Sequence, residues 1–162
     1  MNFFDKNCQS GPFSDVGFGV CDDQDGLKAY VDTANSEQWV ATVVNKAQAQ
    51  VTFTAIDKCV IQDADEPGRK RCDAMLTTDK LLYLLELKDK RSGSKAHAIE
   101  QLESTIDFLR QHHADKVALY THKKAFACNR RHPFQTIDNE LQSRFFRKNE
   151  FRLDAQATVV LV

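Results

Sequence analysis

Apolar residues fall in short blocks whose period shifts along the chain, and the shifts mark the elements. QVTFTAIDKCVI (residues 50–61) is β-branched, aromatic and near-alternating, which predicts a strand; the polar QDADEPGRK after it predicts a loop. RCDAMLTTDKLLYLLELKDK (71–90) reads as two strands about a short polar turn, apolar through LLYLLEL until Glu86 and Lys88 interrupt it. In KRSGSKAHAIEQLESTIDFLRQHH (90–113) the period changes from two to about 3.6. Ile99, Leu102, Ile106 and Leu109 form one stripe, with Ser94 as the predicted N-cap. VALYTH (117–122) reads as the next strand, and strand, helix, strand in this order predicts a right-handed crossover with the last two strands parallel.

The flanks are less regular. Trp39, Val40, Val43 and Val44 sit at helical spacing behind an N-cap candidate at Ser36, predicting a helix from Ser36 to about Ala47, although β-branched valines suit a strand equally. Residues 1–35, rich in Gly, Asp and Phe without a clear period, read as an irregular arm whose phenylalanines pack back on the core. Residues 123–162 read as a basic loop followed by a C-terminal helix and strand, with FRLDAQATVVLV (151–162) closing the sheet. The fold class is therefore α/β (α+β), with residues 1–162 as one domain and a core at about 36–122.

The hairpin raises the first chemical question, because charges end a strand that is otherwise apolar. With the turn centred on Thr78 and Asp79, Thr77 faces Lys80 and Asp73 falls opposite Leu84, on the face carrying Leu82, Glu86 and Lys88. Asp73 and Glu86 are then diagonal neighbours roughly 7–8 Å apart, a span that a divalent cation between two carboxylates bridges. Leu87 points to the other face, with its backbone carbonyl as a further oxygen ligand.

Composition narrows the setting. No apolar run approaches the roughly 18 residues of a membrane span, and MNFFDKNCQSGPF has no basic region or long apolar run of a leader, so a soluble cytoplasmic protein with no membrane partner is expected. The five cysteines, Cys8, Cys21, Cys59, Cys72 and Cys128, are scattered without a CxxC pair and read as reduced thiols. The formal charge of -1 conceals a net of -7 in residues 1–68 and +6 in residues 69–162, and a basic second half attracts phosphates if the acids face elsewhere.

Together the hairpin acids, Glu86-Leu87-Lys88 and the helix that follows resemble the PD-(D/E)xK, or restriction-endonuclease-like, nuclease superfamily. Its core is a helix, an antiparallel three-stranded meander, a crossover helix and a fourth strand; here a C-terminal extension would follow. The segments IDKCV, RCDAML, ELKD, AIEQLESTIDF and ACNRRHPF are similar to stand-alone bacterial members. The resemblance implies a nuclease in which Asp73 and Glu86 hold Mg²⁺ (or Mn²⁺) with the Leu87 carbonyl, and Lys88 positions or activates the attacking water. Cys72 stands where the motif has its proline, a variable position. Gln101, just off the apolar stripe, matches a helix position that often faces the site, and Glu37 or Asp32 are candidates for the additional acid some relatives supply. The implied partner is nucleic acid, DNA foremost with RNA open, and double-strand cleavage with one site per chain would favour a homodimer.

Arg69, Lys70, Arg71, Lys90, Arg91 and Lys95 flank the hairpin and are candidates for guiding a nucleic-acid backbone; a solvated loop is the plain alternative. THKKAFACNRRHPFQ (121–135) interleaves cations with Phe126, His132 and Phe134, a mixture that binds phosphate and stacks bases unless the rings are core. Cys128 and His132 lack the pairing of a structural zinc site, and no nucleophile elbow or glycine-rich phosphate loop is present. A second reading is an inactive nuclease fold that binds nucleic acid or a protein partner.

Overall fold

LLYLLEL is buried at every position, a pattern that requires cover on both faces of its strand. The computed structural model, which describes residues 1–89 and 95–162, supplies that cover with a second sheet on one side and helices on the other. The strands are β1 (Gln9–Phe13), β2 (Gly17–Cys21), β3 (Tyr30–Asp32), β4 (Ala41–Val44), β5 (Val51–Ala55), β6 (Ala74–Thr77), β7 (Leu81–Leu87), β8 (His122–Cys128), β9 (Arg152–Asp154) and β10 (Thr158–Val160). The helices are α1 (Lys95–Ala118) and α2 (Asn139–Asn149). One mixed sheet runs β1-β5-β6-β7-β8-β9 and the other β10-β4-β2-β3, an α+β architecture.

Alternation sorts the side chains of β7 into two cores. Leu81, Tyr83, Leu85 and Leu87 meet Phe18, Val20, Val40, Ala41 and Val43 of the smaller sheet's layer. Leu82 and Leu84 meet the α1 stripe of Ile99, Leu102, Ile106 and Leu109, together with Phe145 of α2. β5, β6 and β7 form an antiparallel meander, and α1 returns the chain to β8, parallel to β7, as the strand–helix–strand order required. The returning strand lies further along than VALYTH: Val117 and Ala118 end α1, and β8 begins at His122.

Three expectations are corrected. The helix over 36–47 is a single 3₁₀ turn, Ser36–Gln38, capped by Asn35 rather than Ser36 and followed by β4. Its valines fit a pleated strand better than a helix because their χ1 is stiff, and Val43 is buried between the sheets. The arm 1–35 contributes three strands, β1 to β3; Gly17 and Gly19 had blurred the alternation of β2. The five cysteines are not all thiols, since Cys8 and Cys59 form a disulfide and only Cys21, Cys72 and Cys128 are free. Gln9 pairs with Thr54, and the chain turns back after β5, so sheet pairing brings together cysteines 51 residues apart. The Ser94 cap lies outside the described residues, and no described helix is long and apolar enough to cross a membrane.

Gly19 is where the arm and the 3₁₀ turn meet. A Cβ there would lie 1.9 Å from Trp39 Cγ, and Trp39 is pinned by its indole N–H donating to Asp32 Oδ2 at 2.8 Å. Gly19→Ala should therefore lower stability by about 1–3 kcal/mol through overpacking, measured as a lower urea midpoint; an unchanged midpoint would contradict this packing. Replacing both Cys8 and Cys59 by Ser should cost about 2–4 kcal/mol through loss of loop closure, read in the same experiment.

Candidate metal and phosphoryl site

The acids sit where β6 begins and β7 ends. Ala74 pairs with Leu85 and Thr77 with Leu82, two residues out of step with the expected register. The turn takes up more residues, Thr78 N–H donating to the Leu81 carbonyl at 3.0 Å. Carried one position further, the ladder puts Asp73 level with Glu86 rather than diagonal to it. Asp73 is fixed there by its own backbone: its N–H donates to the Leu85 carbonyl at 3.1 Å and its carbonyl accepts the Ile56 N–H at 2.9 Å. Its carboxylate accepts the Leu87 N–H at 2.7 Å. Leu87 thus contributes a backbone donor that orients the acid, while its side chain anchors β7 between the sheets as expected.

Both acids are desolvated, Asp73 being 8% and Glu86 1% exposed. Lys88 Nζ lies 3.1 Å from Glu86 Oε1, whereas Glu86 Oε2 is buried without a hydrogen-bond partner. The two carboxyls meet, and a hydrogen bond between them requires a proton on one; with both ionised, Oε2 has no donor. Burial and the neighbouring acid Asp22 push Asp73 up from 3.8 to about 7, against the Leu87 N–H, which acts to lower it. Burial, then repulsion from Asp73, holds Glu86 well above the carboxylate range despite Lys88.

Asp22 is the residue that sequence reasoning missed. It follows β2 on the smaller sheet, and its carboxyl interacts with that of Asp73 while Oδ1 accepts the Gln24 N–H at 2.9 Å. The only sequence signal was the acidic run Asp22, Asp23, Asp25 in a segment without a period. The other candidates for an extra acid are differently engaged: Asp32 holds Trp39 and the N–H groups of Ala34 and Asn35, and Glu37 is exposed on the 3₁₀ turn. Gln101 is brought to the segment leading into β6, Nε2 donating to the Arg71 carbonyl at 3.4 Å and Oε1 left buried and unpartnered. Next to it, Thr105 Oγ1 accepts the Cys72 N–H at 2.8 Å and ties α1 to the residue before Asp73.

Three of the basic residues around the hairpin are already engaged. Arg69 lies over the Phe108 ring at 3.7 Å, Lys70 pairs with Glu100, and Arg71 pairs with Asp57 at 2.7 Å and with Asp63. Lys95 opens α1, and Lys90 and Arg91 lie outside the described residues. In the later segment, Lys123 to Cys128 are strand rather than loop, Phe126 is buried against Tyr83, Phe134 packs on the helical core, and Arg131 reaches Asp89 at 3.5 Å. Core packing, the plain alternative, thus accounts for both phenylalanines.

Among the described residues no group of three or more His, Cys, Asp and Glu side chains is arranged to hold a metal ion. The donors at hand are two carboxylates, with Asp22 beside Asp73. That set fits Mg²⁺, which retains several waters and is commonly held by one or two carboxylates together with substrate phosphate oxygens; the unpartnered Glu86 Oε2 is an oxygen donor of the kind it takes. Comparison with family models, with curated proteins and with solved structures finds no match.

A raised carboxyl pKa makes the folded chain bind more protons than the unfolded chain between pH 3.8 and about 7. Stability should therefore fall as pH rises through that window and level off above it. Asp73→Asn should flatten this slope in Tm measured against pH, and an unaltered slope would assign the titration elsewhere. Asp22→Asn removes a repelling neighbour and should move the Asp73 titration to lower pH, read by carboxyl NMR.

Proposed function

We propose that this chain is a metal-dependent nuclease, acting foremost on DNA, with a PD-(D/E)xK-type site on a restriction-endonuclease-like core. The observation that carries the reading is the desolvated Asp73–Glu86 pair, with one carboxylate oxygen unpartnered and Lys88 two residues away. The β5–β6–β7 meander, the α1 crossover and β8 support the core, although a turn and β4 stand where its first helix is expected.

Bound Mg²⁺ (or Mn²⁺) would supply positive charge at the phosphoryl oxygens and lower the pKa of a coordinated water. Asp73 and Glu86 would hold it, and the Leu87 N–H fixes the Asp73 carboxylate so that the donor would not have to reorganise. The Lys88 ammonium is partly accessible at the rim, where it would meet a phosphate oxygen or the attacking water. Gln101 presents an unsatisfied amide oxygen able to orient a water.

Asp73→Ala and Lys88→Ala should each lower Mg²⁺-dependent cleavage of plasmid or single-stranded DNA by at least about a hundredfold, with folding checked by circular dichroism. Equal cleavage by the variants would refute this site. Absence of cleavage of plasmid, single-stranded DNA and RNA by folded wild type, with Mg²⁺ or Mn²⁺, would leave the inactive binding fold as the better description.

A further inference from the structure

Along the β9 edge of the large sheet, α2 and β9 border an open cavity of about 500 Å³ lined by Asn139, Gln142, Ser143, Phe146, Arg152 and Asp154. Positions 139, 142, 143 and 146 recur at the three- and four-residue steps of one helix face. That face thus presents two amides, a hydroxyl and an aromatic ring to the same space. A second cavity of about 460 Å³ shares Phe146 and Arg152 and adds His122, Lys123 and Lys124 from the start of β8 and Glu150, whose carboxylate pairs with Arg110 at 3.3 Å. Lys124 pairs with Arg152 across the parallel β8–β9 ladder, which sets these two cations side by side.

Two features distinguish this groove from the rest of the surface. Phe146 is 51% exposed although its neighbour Phe145 is buried in the core, so a large ring is held at the surface by a helix whose other face is anchored. Lys123, Lys124 and Arg152 enter no ion pair among the described residues, Lys124 resting over the Tyr83 ring at 5.6 Å, whereas Lys70 and Arg71 near the carboxylate pair are held by acids. Gln142 Nε2 donates to the Leu153 carbonyl at 3.1 Å and to Asp154 Oδ1 at 3.3 Å, which fixes the amide at the floor of the groove.

We propose that this groove binds a nucleotide unit, with its phosphate on Lys124 and Arg152, its base stacked on Phe146, and base-edge polar groups met by Asn139, Gln142 and Asp154. An exposed ring beside cations that no acid neutralises is the chemistry that holds a stacked base and its backbone without reading sequence. Tyr83 pairs with Lys124, which pairs with Arg152, so these cations stand three residues before Glu86 along the strands, roughly 10 Å at strand rise. Binding here requires neither Asp73 nor Glu86, and it stands or falls apart from cleavage.

The test is fluorescence anisotropy of a short labelled thymidine oligonucleotide in EDTA, with AMP and inorganic phosphate as competitors. Wild type should bind the strand, Phe146→Ala should weaken binding roughly tenfold, and Phe146→Trp should retain it. Arg152→Ala should weaken binding and reduce the log–log salt slope by about 0.7, while Lys28→Ala, on the loop before β3, should leave both unchanged. Competition by AMP would identify a free nucleotide as sufficient; binding of the strand alone would place the unit within a chain; either supports the site. Absence of binding by both strand and AMP, unchanged affinity in folded Phe146→Ala and Arg152→Ala, or phosphate competing as well as AMP would overturn it.

Discussion

Burial of β7 on both faces is the constraint on which the other features depend. A strand covered by a sheet on one side and helices on the other must be apolar throughout, and LLYLLEL is apolar up to Glu86. Because the cover extends to that end, Glu86 and Asp73 are removed from water together, and the cost of two neighbouring buried carboxylates appears as raised proton affinity. Lys88 offsets part of that cost for Glu86 Oε1 and leaves Oε2 without a partner. A proton or a cation is what such a pair lacks.

The N-terminal segment changes the site more than its sequence suggests. β2 belongs to the smaller sheet, so packing that sheet on β7 carries Asp22 to Asp73 from the far side of the chain. Trp39 over Gly19, held by Asp32, links β2, β3 and the turn that leads to β4. The position of Asp22 therefore depends on a tryptophan contact with no part in the chemistry. The disulfide between Cys8 and Cys59 ties the same segment to the turn after β5, close to Asp57 and its partner Arg71.

Elements with strong periodicity were legible in the sequence: the α1 stripe, the β6–β7 hairpin and the crossover to a parallel strand. So was the convergence of Asp73, Glu86 and Lys88 at one end of that hairpin, because charges that end an apolar run are informative in one dimension. The two-residue register error arose from the turn, whose extent TTDK leaves open. Val40, Val43 and Val44 satisfied both periods, and only the presence of a second sheet decides for a strand. Asp22 and the Cys8–Cys59 bond were illegible because both depend on pairing between distant strands. Lys70 and Arg71, close to the acids in sequence, are neutralised, and the cations on β8 and β9, which enter no ion pair among the described residues, are assembled only by sheet order.

The most direct measurement is isothermal titration of Mg²⁺ near pH 7 in buffers of different ionisation enthalpy, on wild type and Glu86→Gln. With Asp73 titrating at about pH 7 beside a desolvated Glu86, the expected result is binding accompanied by proton release in wild type, with both lost in the variant. Absence of binding by folded wild type, or binding that releases no protons and survives Glu86→Gln, would contradict the buried carboxylate pair as the metal site.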